Sequence, residues 1–377
     1  MISSDTTQSE LLRHQYLSEE LSAEAFVDQV LVPFQKEPVI PDGLIQPGSK
    51  YLPSSQTMKP SIAKRFHGLA WDLIERSTED ELVRGRAIDA VDQLLGRSEG
   101  DLLPGRPVKT MADSELVEIY CELVRVATGC LDPYQALKRD FDDQALSHLK
   151  EISHRLDEVS GEREKVTAAI DLGIIGNAID FADPTRKAHL DAKGFDMASE
   201  IKQAGNLPYV IDQREAFLSV FETTPKGELL FLMDNAGEAI FDLVLVKCFL
   251  DRGWKVTLAG KSLPCYNDMT AEDLSDLLKD PRAQAYLGKR VEPIHVISSG
   301  TAMIGLDLRR GTPEFVERWR RADVVYAKGQ GMLQTLRYAP LMREIFHAVQ
   351  VKDPDYFHEG ISVQSGDALF LHTATKT

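Results

Sequence analysis

The chain of 377 residues has no Cys-x-x-Cys pair, no His-x-x-x-His or His-Glu-x-x-His pattern, no internal repeat and no low-complexity tract. Without paired histidines a zinc hydrolase of the helix-borne type is disfavoured. No apolar run approaches the roughly 20 residues that a membrane span needs, so no membrane partner is expected. Basic charge is also short. Lys and Arg number 43 against 59 Asp and Glu, a net charge of −16. That sign is wrong for gripping a phosphate backbone, so no nucleic-acid partner is expected. A small anionic substrate stays open, because one local Lys and a metal can override the global field. The opening residues are polar and acidic, unlike the basic start and apolar core of a signal peptide. The four cysteines, Cys121, Cys130, Cys248 and Cys265, read as free thiols in a reduced, cytoplasmic setting. The sequence carries no signal for an oligomeric state.

What is present is an ordinary globular balance, 43% hydrophobic and 27% charged, enough for one large domain or two. Leu21, Phe26, Val27 and Val30 fall at helical spacing. Seven Pro and Gly between Pro33 and Pro53 then break regular structure. This predicts an extended strap near 33–60. From Pro60 to Lys165 apolar residues recur with helical period and strand-like alternation is absent. Residues 1–165 are therefore expected to form an all-helical N-terminal region. From about Asp171 short β-rich runs alternate with helical stretches. The runs are Glu228–Met233, Trp254–Gly260, Pro293–Ser298, Asp323–Ala327 and Asp367–His372. The helices are Ala236–Leu250, Ala271–Leu278, Pro313–Arg321 and Leu333–Tyr338. Such alternation implies an α/β domain over 166–377, with a doubly wound, mostly parallel sheet in three layers.

In an open α/β sheet the residues just past the strand ends face the ligand crevice. Two such ends carry Asp234, Asn235 and Asp268. Together they make a set of hard oxygen donors suited to a divalent cation such as Mg²⁺ or Mn²⁺. The plain alternative makes Asp234 and Asn235 caps for the following helix and Asp268 a turn residue. Asn267 beside it is a candidate for holding substrate by hydrogen bonds. Glu238 either complements the helix dipole or orients a metal-bound water. Lys328 ends another apolar run and precedes Gly329 and Gly331, so it can bring a point charge to a phosphoryl group. Ser299 and Gly300 form a second strand-to-loop junction that can cradle phosphate oxygens. Asn177 and Asp180, three apart, share a helix face and can bind sugar hydroxyls or metal-bound waters. Cys265 is read as structural, and His295, inside an apolar run, as a core residue.

Five of these pieces occur together in order: Gly176-Asn-Ala-Ile-Asp180, Asp234-Asn-Ala-Gly-Glu238, Asn267-Asp-Met-Thr270, Ser299-Gly300 and Lys328-Gly-Gln-Gly331. In this they resemble the metal-dependent damage-control phosphatase family, long known only as a domain of unknown function. The resemblance covers roughly residues 170–340. It implies a catalytic metal on Asp234, Asn235 and Asp268, a phosphate contact from Lys328, and a substrate pocket lined by Asn177 and Asp180. The chain departs from the family at Met332 and Gln334, where Asn and Glu often follow the Lys-Gly motif. That implies a more apolar pocket wall and leaves the substrate open among small phosphorylated sugars and damaged phosphometabolites.

The expected reaction is hydrolysis of a phosphate monoester with a divalent metal, Mn²⁺, Mg²⁺, Ni²⁺ or Co²⁺, as Lewis acid. Asp234, Asp268 and Lys328 carry the chemistry. Attack by water is preferred to attack by a carboxylate, since Ala236 stands where an Asp-x-Asp nucleophile motif would place its second Asp. Two rivals remain. An S-adenosylmethionine-dependent carboxyl methyltransferase would want a Gly-rich loop where this chain has Asp-Asn-Ala-Gly-Glu. A non-catalytic sensor of a phosphometabolite would use the same ligands.

Overall fold

The computed structural model describes residues 6–35, 39–47, 49, 60–97, 101–103, 106–107, 111–177, 197–357 and 362–373. The first part is helical: α1 (Thr6–Leu17), α2 (Ala23–Leu31), α3 (Pro60–Ser77) and α4 (Glu81–Gly96), then, after a short β element, α5 (Asp113–Thr128), α6 (Gln135–Ser147), α7 (Leu149–Asp157) and α8 (Glu162–Gly176). The helical spacing of Phe26, Val27 and Val30 falls in α2, which begins only after Ser22, whose hydroxyl caps it by accepting from the Ala25 amide; Leu21 lies before it. The region is not all-helical. Between α4 and α5 lies an antiparallel ribbon, β1 (Asp101–Leu103) with β2 (Arg106–Pro107), too short to show alternation in the sequence.

Part of the proline-rich strap is described. Leu44 is fully buried in a core with Phe315 and Trp319, and Ile45 makes an antiparallel bridge to Leu341. The strap thus anchors to the far half of the chain.

That half is an α/β unit. Its elements run α9 (Met197–Gln203), β3 (Tyr209–Asp212), α10 (Arg214–Thr223), β4 (Glu228–Leu232), α11 (Glu238–Asp251), β5 (Lys255–Gly260), α12 (Ala271–Leu277), α13 (Pro281–Leu287), β6 (Ile294–Ser298), α14 (Pro313–Arg321), β7 (Val324–Lys328), α15 (Gly329–Leu336), β8 (Ile345–Gln350) and β9 (Ala368–Thr373). Seven strands form one mixed sheet in the order β3-β9-β8-β7-β4-β5-β6. Only β8 and β9 pair antiparallel. The strands β3 and β8 were not anticipated. β4 is central, between β7 and β5, and Leu229 through Met233 are all buried, as a strand covered on both faces requires. Leu229 and Phe231 point into one core and Leu230 and Leu232 into another. His295 corrects the sequence reading. β6 is the edge of the sheet, and this side chain is exposed rather than in the core. No helix among the described residues is long and apolar enough to cross a membrane, and all four cysteines are free.

Candidate active site

The carboxyl ends of β4, β5 and β7 are neighbours, and the polar residues following them meet there. After β4 the chain does not enter the helix at once. Gly237 takes φ +76°, a conformation that suits glycine, and α11 starts at Glu238. Asp234 and Asn235 are therefore not its side-chain caps; only the Asn235 carbonyl serves, accepting from the Ala239 amide at 3.1 Å. The loop after β5 folds back against this turn. The Met269 amide donates to the Asp234 carbonyl at 2.8 Å and the Ala236 amide to the Asn267 carbonyl at 2.9 Å. Asn235 and Asp268 form an antiparallel bridge. Thr270 then caps α12 through a reciprocal pair with Asp273. The three expected oxygen donors are thus brought together from two loops. Asn267 lies in the same loop, buried.

Asp234 is buried beside like charges. Burial, then Glu238 and Asp268, push its carboxyl well above the usual carboxylate range, against the pull of Lys352 and Lys261. Asn235 donates its NH₂ to Asp234 Oδ2 at 3.0 Å and to Glu238 Oε2 at 3.2 Å; its Oδ1 is the neutral oxygen it can offer a cation. Lys261, the first residue past β5, lies with Nζ 3.3 Å from Asp268 Oδ2 and also donates to the Gly305 carbonyl. From the β7 side Gly329, at φ +83°, passes so close that a Cβ there would stand 1.9 Å from Asp234 Oδ2. Among the described residues no group of three His, Cys, Asp or Glu is arranged to hold a metal. The expected ligand set holds two carboxylates and a neutral carboxamide; with Glu238, three carboxylates crowd this buried turn, a cluster that a divalent cation would neutralise.

Lys328 ends β7 fully buried. Its Nζ lies 2.7 Å from Glu238 Oε1 and 3.0 Å from Asp242 Oδ1, and donates to the Gly173 carbonyl at 2.6 Å. Burial alone would lower its pKa; the Asp242 and Glu238 carboxylates outweigh that and raise it. Asp242 is pushed up to about 8, by burial first. Gly173 admits this arrangement because a Cβ there would lie 2.6 Å from Asp242 Oδ1. Asn177, past the end of α8, donates to Glu238 Oε1 at 2.6 Å, while its own Oδ1 is buried without a partner. Glu238 is therefore the hub joining Asn177, Asn235 and Lys328. Asp180 lies outside the described residues.

Ser299 sits past β6 with its amide donating to the Gly260 carbonyl at 2.8 Å and its Oγ buried without a partner. Gly300, at φ +89°, packs so closely that a Cβ would meet the Arg310 carbonyl at 2.1 Å. Met332 packs in the core with Phe315 and Trp319 rather than forming a pocket wall. Sequence reasoning assigned no role to Lys261, Asp242, Gly173 or Lys352. Asp242 had a signal, its i, i+4 spacing from Glu238. Lys261 also had one, its place past a strand end.

Polar groups gathered at the carboxyl ends of adjacent parallel strands place the protein in the open α/β-sheet class that binds its ligands at that edge. The chain belongs to the ARMT1-like damage-control phosphatase domain family, whose family model matches residues 62–362. It is 30% identical over 310 residues to damage-control phosphatase PH1575 of Pyrococcus horikoshii, covering 81% of this chain and 94% of that protein. A damage-control phosphatase of Arabidopsis thaliana, At2g17340, is 24% identical over 217 residues, 56% of this chain and 59% of that one. The crystal structure of a DUF89 family protein from P. horikoshii superposes with a TM-score of 0.65 at 24% identity, over 85% of this chain and all of the other; that likeness carries the fold. The phosphatase class expected from the five motifs is shown by the family.

Proposed function

We propose that this phosphatase hydrolyses phosphate monoesters of small phosphorylated metabolites, sugar phosphates or damaged by-products. It would use Mn²⁺, Mg²⁺, Ni²⁺ or Co²⁺ held by Asp234, Asn235 and Asp268. The observation that carries the reading is the bridge between Asn235 and Asp268, which sets two carboxylates and a carboxamide from two strand ends into one buried turn. A bound divalent cation supplies phosphoryl polarisation and an acidified water. Asn235 orients Asp234 through its amide, and Lys261 holds Asp268 from below. Lys328 has its three donors on Gly173, Glu238 and Asp242, so it fixes the hub carboxylate, and contact with a phosphoryl oxygen requires it to exchange one of these partners. Asn177, Asp180, Asn267 and Ser299 are assigned to substrate; the partnerless oxygens of Asn177 and Ser299 support this. Water is the nucleophile, since Ala236 denies the turn a second acid two residues on. The doubly wound, three-layer reading is supported by β4 feeding two separate cores, and a cytoplasmic setting by four free thiols.

The test is phosphate release from p-nitrophenyl phosphate and a phosphometabolite panel with each of the four cations, paired with thermal melting. Asp234→Asn is expected to abolish release and to remove the rise in melting temperature that Mn²⁺ gives the parent chain. Its metal-free melting should not fall, because the substitution relieves a like-charge cluster. No release with any cation would leave a sensor, and tight binding of S-adenosylmethionine instead of metal would restore the methyltransferase.

A further inference from the structure

The helix α6 contributes no residue to the motifs, yet two of its side chains grip both loops of the candidate site. Lys138 and Asp142 are four apart, so they share one face. Lys138 is almost completely buried. Its Nζ lies 2.6 Å from Asp132 Oδ2 and donates to Asp273 Oδ2 at 2.6 Å. That same Asp273 oxygen accepts from the Thr270 amide at 2.9 Å and the Thr270 hydroxyl at 2.7 Å. Thr270 stands two residues past Asp268. One turn along α6, Asp142 Oδ1 accepts from the Gly237 amide at 2.7 Å. Gly237 stands two residues past Asn235 and opens α11 with no side-chain cap of its own. A carboxylate from another helix therefore does the capping, at the positive end of the α11 dipole.

We propose that Lys138 and Asp142 are positioning residues, a two-point brace from the helical half that holds the Asp234–Gly237 turn and the Asn267–Thr270 loop at the separation the cation requires. This rests on the metal reading given above. The register between the loops is also set by the backbone bonds that run between them, and the brace adds an outside reference fixed to a single rigid turn of helix. Both side chains also line a cleft of about 680 Å³ whose wall includes Lys261 and Thr270.

The experiment measures Mn²⁺ binding by electron paramagnetic resonance, and backbone hydrogen exchange without metal, on the full chain. Groups that orient ligands cost about 10–100-fold in metal affinity when lost. Asp142→Ala and Lys138→Met are expected to weaken Mn²⁺ binding at the low end of that range, about tenfold. Asp142→Asn keeps an acceptor for the Gly237 amide and should restore binding to near the parent value. Exchange should quicken over 234–238 in Asp142→Ala and over 267–271 in Lys138→Met, with α14 keeping its protection. Parent-like Mn²⁺ affinity in both, or unchanged exchange in those segments, overturns the brace. If the parent chain itself binds no Mn²⁺, the metal reading fails, and exchange alone decides whether α6 holds the loops. Exchange that quickens everywhere, α14 included, would mean general loosening and also reject a local brace.

Discussion

Lys328 Nζ lies 2.7 Å from Glu238 Oε1, and both side chains are fully withdrawn from solvent. The pair joins the end of β7 to the first turn of α11. Asp242, one turn further, closes on the same ammonium. Removing the cation leaves two carboxylates in a dry site. Breaking such a buried pair by deleting one partner costs about 3–5 kcal/mol. Lys328→Met is expected to lose stability on that scale in urea unfolding at neutral pH. Adding Asp242→Asn should recover part of the loss, because one of the stranded charges is then gone. Parent-like stability in Lys328→Met would show that the ammonium is dispensable to the fold.

The backbone just past β7 also limits what stands beside Asp234. Gly329 has φ +83° and no room for a Cβ, which would overlap the Asp234 carboxylate. Gly366 has φ +96° but open space around it. Gly329→Ala and Gly366→Ala should therefore share the backbone cost of a left-handed alanine, about 1–2 kcal/mol. Only Gly329→Ala should also lose Mn²⁺ binding and phosphate release. Calorimetric titration of both variants separates the two effects; equal metal affinity in the pair would remove Gly329 from the site.

The parts of the site visible in the sequence are those carried by strands covered on both faces. β4, β5 and β7 read as near-continuous apolar runs, so their ends, and with them Asp234, Asp268 and Lys328, could be located. β3 was hidden because it is an edge strand with exposure at alternate positions. β8 was hidden because it carries His347, a ring buried without a hydrogen-bond partner and held neutral by burial, its pKa lowered to about 3. Missing β8 meant missing Lys352, whose charge acts on Asp234. The partners of Lys328 were hidden for a different reason. Which face α11 turns toward β7 depends on packing between α8 and α11, and α11 is buried on nearly every side, so its sequence has no polar stripe to set the rotation. The brace on α6 comes from a helix distant in sequence from both loops, and no spacing rule connects it to them.

The helical half also reaches the Ser299 loop, and this contact makes a pH prediction. Arg310 Nη1 donates to Glu118 Oε1 at 2.8 Å, linking α5 to the segment after β6. Burial pushes the Glu118 carboxyl up to about 7; Asp307 and Glu115 add to this, while Arg310 and the Ala302 amide oppose it. Its ordinary value is 4.5. Between those two values the folded chain keeps a proton that the unfolded chain has released. By linkage, stability falls as pH rises through that window, and above about 7 the loss is complete. Glu118→Gln retains an acceptor for Arg310 but cannot titrate. Urea unfolding at pH 5, 6, 7 and 8 should therefore show the variant gaining on the parent as pH rises, with the change concentrated between pH 5 and 7. The other acids titrate in both chains, so the difference isolates Glu118. Parallel pH profiles would mean that Arg310 keeps this carboxylate ionised across the range, and that the link between α5 and the Ser299 loop is a plain ion pair.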